Sequence, residues 1–371
     1  MSEVRFLSPP EFKRGQAPKR GQAPKRGLTP FDFMDILLQV EKTLLEYKML
    51  VPDEKLLVAC SGGADSTALF HLLREIAPRW GIQLSLIHFD HGLRRDSAKD
   101  FKFVQTLARK FHVPFYGERQ SMTSRIPGAN LSPEELARES RYKFFEKIAK
   151  KTRILKIASA HHSDDQAETV LMRVIQGTGL RGLQGIRPVV RLKGATYIRP
   201  LIEATRIKLR EFLKKRSLHY REDRTNRSTR FLRNQIRLRL LPRIKKEFNP
   251  QIAESLSRLA QTAARELSGL DEWVEKNWKT QVARRRNGTI WLNRENFLAL
   301  PNFLKFRLLA KAVQSLEPRS GIDFQTWRRI EDNLSKARLR LTLAGNLDLN
   351  LTPKKLFIHK NDTMSPLRRK I

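Results

Sequence analysis

The chain has 371 residues, with 73 Lys and Arg against 38 Asp and Glu, a formal net charge of +35. That length suggests two or three domains, and the positive excess points to a polyanionic partner, nucleic acid above all. The single cysteine, Cys60, excludes an intramolecular disulfide framework and a zinc site of several thiolates, and fits a reducing, cytoplasmic setting. No apolar run reaches the roughly 18 residues that span a bilayer, and no signal-peptide core stands near the N-terminus.

Residues 13–30, "KRGQAPKRGQAPKRGLTP", repeat a basic hexapeptide almost three times. Gly and Pro oppose helix and strand, and no apolar face is available to bury, so 1–30 reads as a disordered basic tail. It serves either as a solvated extension or as an electrostatic arm for RNA. From Phe31 apolar residues recur at helical spacing up to Leu50. Strand 56–60, helix 66–77, strand 84–90, helix 100–112 and strand 114–119 follow. A helix over 133–151 has Ser132, Pro133 and Glu135 as a capping box. Strand 154–160, helix 165–176, strand 197–202 and helix 206–217 complete the alternation. This order predicts an α/β fold, a parallel sheet with helices on both faces, over 31–204. Residues 205–249 form a basic connecting segment with 16 Lys and Arg against 4 Asp and Glu. Residues 250–371 read as a mainly helical domain. One long helix covers 250–285, two or three more lie in 293–336, and a short β element ends the chain. Trp273, Trp278, Trp291 and Trp327 read as core packing before base stacking.

The stretch "VACSGGADSTALF" (58–70) puts a tight polar turn between a strand and a helix. Ser61, Gly62, Gly63, Ala64, Asp65 and Ser66 set successive backbone N–H groups at a helix N-terminus, where glycine allows a close approach to an anion. The turn is not a Walker A loop, and it lacks the dinucleotide pattern G-x-G-x-x-G. A hold on pyrophosphate suits cleavage of ATP between the α and β phosphates. An ordinary capped βα turn is the plainer alternative, and six such residues directly after an apolar strand argue against it.

A second constellation, "ASAHHSDDQAETVLMRVIQGTGLRGLQGI" (158–186), lies at the carboxyl end of the fourth strand, the edge where open α/β sheets bind ligands. Ser163 with Gln166, or Asp165 with Glu168, would also make a capping box. "SGGADS" resembles the SGGxDS loop of the PP-loop ATP pyrophosphatases. The second constellation, "HFDHGLRRDS" (88–97), "EELARESRY" (134–142) and "REDRTNRSTRFLRNQIRLRLLPRI" (221–244) together resemble the tRNA(Ile)-lysidine synthases. The match spans about Leu56 to Ile244. Asp90 stands where that family usually has His, Gln176 replaces the commoner Arg, and the basic tail is foreign to the pattern. The chain resembles the short form of the family, with one C-terminal domain.

The resemblance implies an adenine nucleotide alpha hydrolase-like fold and ATP and Mg²⁺ as cofactors, the ion being shared among phosphate oxygens with no protein cluster assigned to it. It implies joining of L-lysine to C2 of cytidine 34 in a CAU-anticodon isoleucine tRNA, through an adenylated intermediate, and a homodimer is common in the family. The lysine ε-amine is almost wholly protonated at pH 7, only roughly one in 2,500 being neutral, so a base or a pocket that lowers its pKa is required. Asp165 and His161 are the candidates, as base or as metal or amine ligands. Arg138 matches a family arginine suited to steadying negative charge; Arg141 is either structural or part of the same function. His162 and Asp164 read as strand-end and cap residues. Arg233, Asn234 and Arg237 match positions expected against tRNA or near the active site, and the C-terminal domain is the expected grip on the tRNA body. Three rivals remain. A tRNA thiolase would use cysteines, which this chain lacks beyond Cys60. An amide-forming synthetase has no need of the basic charge. A nucleotide-gated RNA-binding protein has no need of the His/Asp cluster.

Overall fold

The computed structural model describes residues 30–361 except 93–95, 121–132, 193, 223–231, 287 and 319. The repeat tail, Ser132 and the 223–231 part of the matched segments lie outside these residues. Helix α1 (Pro30–Glu46) opens on the last residue assigned to the tail, with proline in the first turn, where its missing N–H costs nothing.

Strands β1 (Lys55–Ala59), β2 (Gln83–Asp90), β3 (Phe115–Arg119), β4 (Lys156–Ala158), β5 (Val189–Leu192) and β6 (Ala195–Ile198) form one sheet in the order β3-β2-β1-β4-β6-β5. All neighbours are parallel except the β5–β6 pair at the edge. The alternation predicted the five parallel strands. It missed β5, which has four residues and no fully buried position, too little for a period to register.

Both faces of the sheet are covered, and adjacent residues of β1 enter different cores. Leu56 and Val58 pack with residues of α1, α2 (Ala64–Trp80), α3 (Ser97–Lys110) and α7 (Arg206–Lys215). Leu57 packs with Phe144, Phe145 and Ile148 of α4 (Pro133–Thr152). Continuous apolar strands are the signature of a sheet buried on both sides. α5 (Ser163–Ile175) and the short α6 (Leu180–Leu183) follow β4. The Gln166 side chain holds the next turn through Gln184 O and Ile186 N, and Arg173 holds it through Gly182 O and Gly185 O.

The basic segment is structured where described. α8 (Leu232–Gln235), a π-helical turn (Ile236–Leu240) and α9 (Leu241–Glu247) run without a break. The long helix α10 (Ile252–Gln281) then packs its first half against the α/β unit. Ser257 Oγ donates to Ser163 O at 3.2 Å, Gln261 to Glu203 at 3.2 Å, and Arg181 to Asp271 at 2.7 Å. Its second half, through Val274, enters a separate core with Phe297, Leu304 and Leu308.

That second core lies between helices and a sheet larger than expected. β7 (Val282–Arg286), β8 (Thr289–Asn293), β9 (Leu339–Leu343), β10 (Leu347–Leu351) and β11 (Lys355–Lys360) make an antiparallel sheet in the order β7-β8-β11-β10-β9. Where two or three helices were expected, α11 (Arg294–Ala299), α12 (Asn302–Leu316) and α13 (Phe324–Glu331) are found. The long helix stops at Gln281 rather than 285, because 282–286 pair with β8. Pairing partners decide strand formation there, and local composition does not reveal them. Trp327 is buried in this core and Trp278 packs against it, whereas Trp273 is exposed. No helix among the described residues is long and apolar enough to cross a membrane.

Replacing the fully buried Leu69 of the first core by alanine is expected to cost about 2–5 kcal/mol. Urea unfolding followed by far-UV circular dichroism measures it, and a loss below about 1 kcal/mol would contradict the packing described.

Candidate active site

β1 ends on Ala59, and the chain turns through Ser61–Gly63 into α2. Gly62 has φ +84°, and a Cβ there would meet Phe103 at 3.3 Å, so the position needs glycine. Ser66 ties the turn from inside: its Oγ accepts from Ser61 N at 3.1 Å and donates to Gly63 O at 3.1 Å. Arg221 of the basic segment donates its N–H to Gly62 O at 2.8 Å, and its guanidinium reaches Asp100 at 3.1 Å. Ser61 lies exposed at the mouth of the turn. Asp65 has one carboxylate oxygen, Oδ1, buried without a hydrogen-bond partner.

α5 begins beside this turn, on the same sheet edge. His162 is its N-cap, and the His162 N–H donates to Asp165 Oδ2 at 3.2 Å. The His162 ring is 2% exposed and lies among three carboxylates. Nε2 is 3.6 Å from Asp65 and 3.4 Å from Asp165, and Nδ1 is 3.5 Å from Asp164. Burial alone would lower its pKa; the negative charges of Asp164, Asp65 and Asp165 outweigh burial and push it up to about 10. His162 is therefore an imidazolium at neutral pH. Asp164 caps a different helix, accepting from Arg206 N at 2.8 Å at the start of α7.

Asp165 and Glu168 are the centre of the cluster, both almost fully buried. Arg233 donates to Asp165 Oδ1 at 2.9 Å and to Glu168 Oε2 at 3.0 Å. Arg237 donates to Asp165 Oδ1 at 3.0 Å and to both Glu168 oxygens, the Oε2 contact being 2.8 Å. Burial raises the Asp165 pKa; the positive charges of His162, Arg233 and Arg237 outweigh it and hold the carboxyl below its ordinary range. Two expected RNA-contact arginines are thus brought to the candidate catalytic carboxylate. Asn234 lies between them on α8, and it too is engaged.

His161 sits next to this cluster, its Nδ1 3.1 Å from Ser159 Oγ. Burial lowers its pKa to about 4; Asp165 works against that, and the charges of Arg199, Arg233 and Arg141 reinforce it. His161 is therefore neutral at pH 7. Arg138 is exposed on α4, its guanidinium 5.5 Å from the Tyr142 ring centre, and its charge bears on Arg199. Two residues of the site were not assigned to it from the sequence: Glu168, read there only as a capping partner of Asp165, and Arg199. Arg199 is 9% exposed at the end of β6, it donates to Arg187 O, and its Nε has no partner. An arginine at the carboxyl end of a parallel strand was the available signal. Asp90, the departure from the family pattern, holds the end of β2: it accepts from Gly92 N at 2.9 Å and pairs with Arg119 at 3.0 Å. Gln176 is the exposed C-cap of α5. No cluster of three or more His, Cys, Asp or Glu arranged for a metal occurs among the described residues.

A glycine turn opening a helix beside β1, with a basic rim on the same edge of a mostly parallel sheet, defines a PP-loop type of nucleotide-binding domain. The PP-loop domain model matches residues 36–244. The chain belongs to the PP-loop family, in its tRNA(Ile)-lysidine synthase branch. The tRNA(Ile)-lysidine synthase of Clostridium perfringens is 36% identical over 72% of this chain and 56% of its own length. That of Clostridioides difficile is 30% identical over 83% of this chain and 67% of its own, and that of Caldanaerobacter subterraneus 38% identical over 60% and 47%. The chain thus spans about half the length of most of the curated relatives it matches. In fold it is similar to the U34-tRNA thiolase NcsA of Methanococcus maripaludis, with a TM-score of 0.54 at 18% identity, covering 63% of this chain and 80% of that one.

The His162 pKa lies above its ordinary 6.5 in the folded state, so the stabilisation it gives is complete below about pH 6.5 and lost as pH rises through about 10. Asp165, held below 3.8, gives stabilisation present above that value and lost in acid. Thermal melts of the wild type and His162→Gln across pH 6–10 are expected to converge toward alkaline pH, as the wild type loses its advantage. A constant difference across that window would contradict a buried imidazolium.

Proposed function

We propose that this chain joins L-lysine to C2 of cytidine 34 in a CAU-anticodon isoleucine tRNA, using ATP and releasing AMP and pyrophosphate. The reading is carried by one observation: the PP-loop turn, the Asp165–Glu168 carboxylates and the arginines of the basic segment meet on one sheet edge. The branch of the family supports the substrates, since the relatives bear the name tRNA(Ile)-lysidine synthase.

In the first step the C2 oxygen attacks the α-phosphorus of ATP, and the bond to pyrophosphate breaks. Residues 61–66 hold the departing pyrophosphate through backbone N–H groups and the α2 dipole. Asp65 fits a Mg²⁺ ion shared with phosphate oxygens, a mode that needs only one or two carboxylates, because its Oδ1 is unpartnered. The ion, when bound, supplies charge neutralisation on the phosphates. In the second step the neutral ε-amine of lysine attacks C2, and AMP leaves with its electron pair.

Arg138, Arg141, Arg199 and Arg233 serve both steps. A cationic rim stabilises phosphate charge, and the same field lowers the pKa of a bound amine. Both oxygens of Asp165 already accept hydrogen bonds, so Asp165 orients and neutralises. His161, neutral and with Nε2 outside the Ser159 contact, receives the proton. The basic segment and the C-terminal domain from residue 250 grip the tRNA, and binding weakens steeply with salt as phosphate contacts do. The reaction belongs in the cytoplasm, where tRNA and ATP meet.

Labelled lysine is expected to enter an unmodified CAU-anticodon transcript and not its C34→U counterpart. Asp65→Ala is expected to abolish AMP release, and His161→Ala to slow lysine transfer by about 10²-fold or more. AMP release without lysine incorporation would sink the lysine reading. Binding of RNA with no AMP formed would leave a nucleotide-gated RNA-binding protein.

A further inference from the structure

The antiparallel sheet of the C-terminal region packs one face into the second core, and on the other face Asp348 is buried beneath its polar neighbours while the aromatic rung is only partly covered. Ile290, Leu292, Leu349, Leu351, Leu356 and Ile358 point into the second core. The alternate residues stand on the other face, where three aromatic residues, Trp291, Phe357 and His359, sit among polar ones. One rung crosses four strands in register: Trp291 of β8 opposite Phe357 of β11, Phe357 opposite Asn350 of β10, and Asn350 opposite Arg340 of β9. At the β7 edge Arg284 is the register partner of Trp291.

The Trp291 and Phe357 rings lie 4.5 Å apart, tilted by 32°, and His359 continues the row at 5.8 Å from Phe357. All three are only partly buried. The Lys355 ammonium stands 5.4 Å from the Trp291 ring centre. Arg340 is fixed at the far end, donating to the fully buried Asp348 at 2.8 Å, which also accepts from Thr342.

We infer that this open face is a stacking platform for unpaired nucleotides of an RNA, with Trp291 and Phe357 as the base-contacting residues. It rests on the proposed function in taking RNA as the partner. Aromatic rings on a sheet surface accept unstacked bases of any sequence, and cations beside them meet the phosphates. Asn350, in the middle of the rung, offers both a donor and an acceptor to a base edge. A cross-strand aromatic pair also steadies a sheet, but that role requires neither the flanking Lys355 nor the anchored Arg340. Charge selects the occupant, since the chain carries +35 and a polyanion is the partner that it attracts.

The test uses the full chain and a single-stranded oligouridylate of about 12 nucleotides, within the range that such surfaces cover. Trp291→Thr and Phe357→Thr retain a strand-forming residue and are each expected to weaken binding by about 5- to 150-fold, the loss of one stacked base. Phe303→Thr on α12, whose ring stacks on the exposed Trp273 of α10 away from the sheet, is expected to bind as the wild type does. Should a threonine variant fail to fold, Lys355→Glu on the rim carries the test, with weaker binding and a salt dependence shallower by about one phosphate contact. Unchanged affinity in the folded variants overturns the platform, as does wild-type protein that binds no RNA. A concentration-dependent dimer abolished by Trp291→Thr would assign the face to a second copy and overturn it as well. RNA bound through this face by protein that attaches no lysine overturns the ligase reading and leaves the platform standing.

Discussion

Two carboxylates that water hardly reaches, Asp165 and Glu168, set the conditions for the rest of the site. An ionised carboxylate in that position is tolerated only when its charge is met by well-placed donors. Here one donor is local, His162 at the N-cap of the same helix, and two come from far along the chain, Arg233 from α8 and Arg237 from the π-helical turn. The segment 205–249 is therefore not a linker between two domains. It returns across the sheet edge, passes the glycine turn at Arg221, and supplies half of the ionic cluster. The same network reaches the glycine turn, since His162 lies between Asp165 and Asp65.

This arrangement separates two tasks within one adjacent pair of histidines. His162, among acids that outweigh its burial, is held positive; His161 is held neutral by burial above all, with nearby arginines reinforcing it. The two residues are adjacent in the loop between β4 and α5, yet their surroundings drive their pKa values in opposite directions. A fixed cation under the loop and a neutral imidazole toward the basic rim are a usable division for a reaction that gathers phosphate charge and must also accept a proton.

Much of this was legible in the residues themselves. Apolar runs alternating with helical periods located the five parallel strands, and the glycine turn was recognisable because strand, turn and helix followed without interruption. β5 was not, being four residues of half-buried hairpin. β7 and β8 were not, because the partner of β8 is β11, far along the chain, and "VARRR" has no strand signal without it. In the site, "HHSDDQAE" located the carboxylates, but spacing could not reveal that Asp164 would cap α7 or that His162 would be enclosed by acids. In the basic segment composition counted the charges without showing which arginines are bound to buried carboxylates. Arg199 was hidden for a similar reason: a lone arginine in "YIRPL" acquires meaning only when β6 is placed beside β4.

The basic segment and the α5 carboxylates work as one unit, and a double-mutant cycle measures their coupling. Glu168→Gln, Arg237→Gln and the pair would be compared for lysine-dependent AMP formation on the CAU-anticodon transcript. A coupling of about 0.5–3 kcal/mol between the two changes is expected, as for residues sharing one ionic network. Effects that simply add would contradict it.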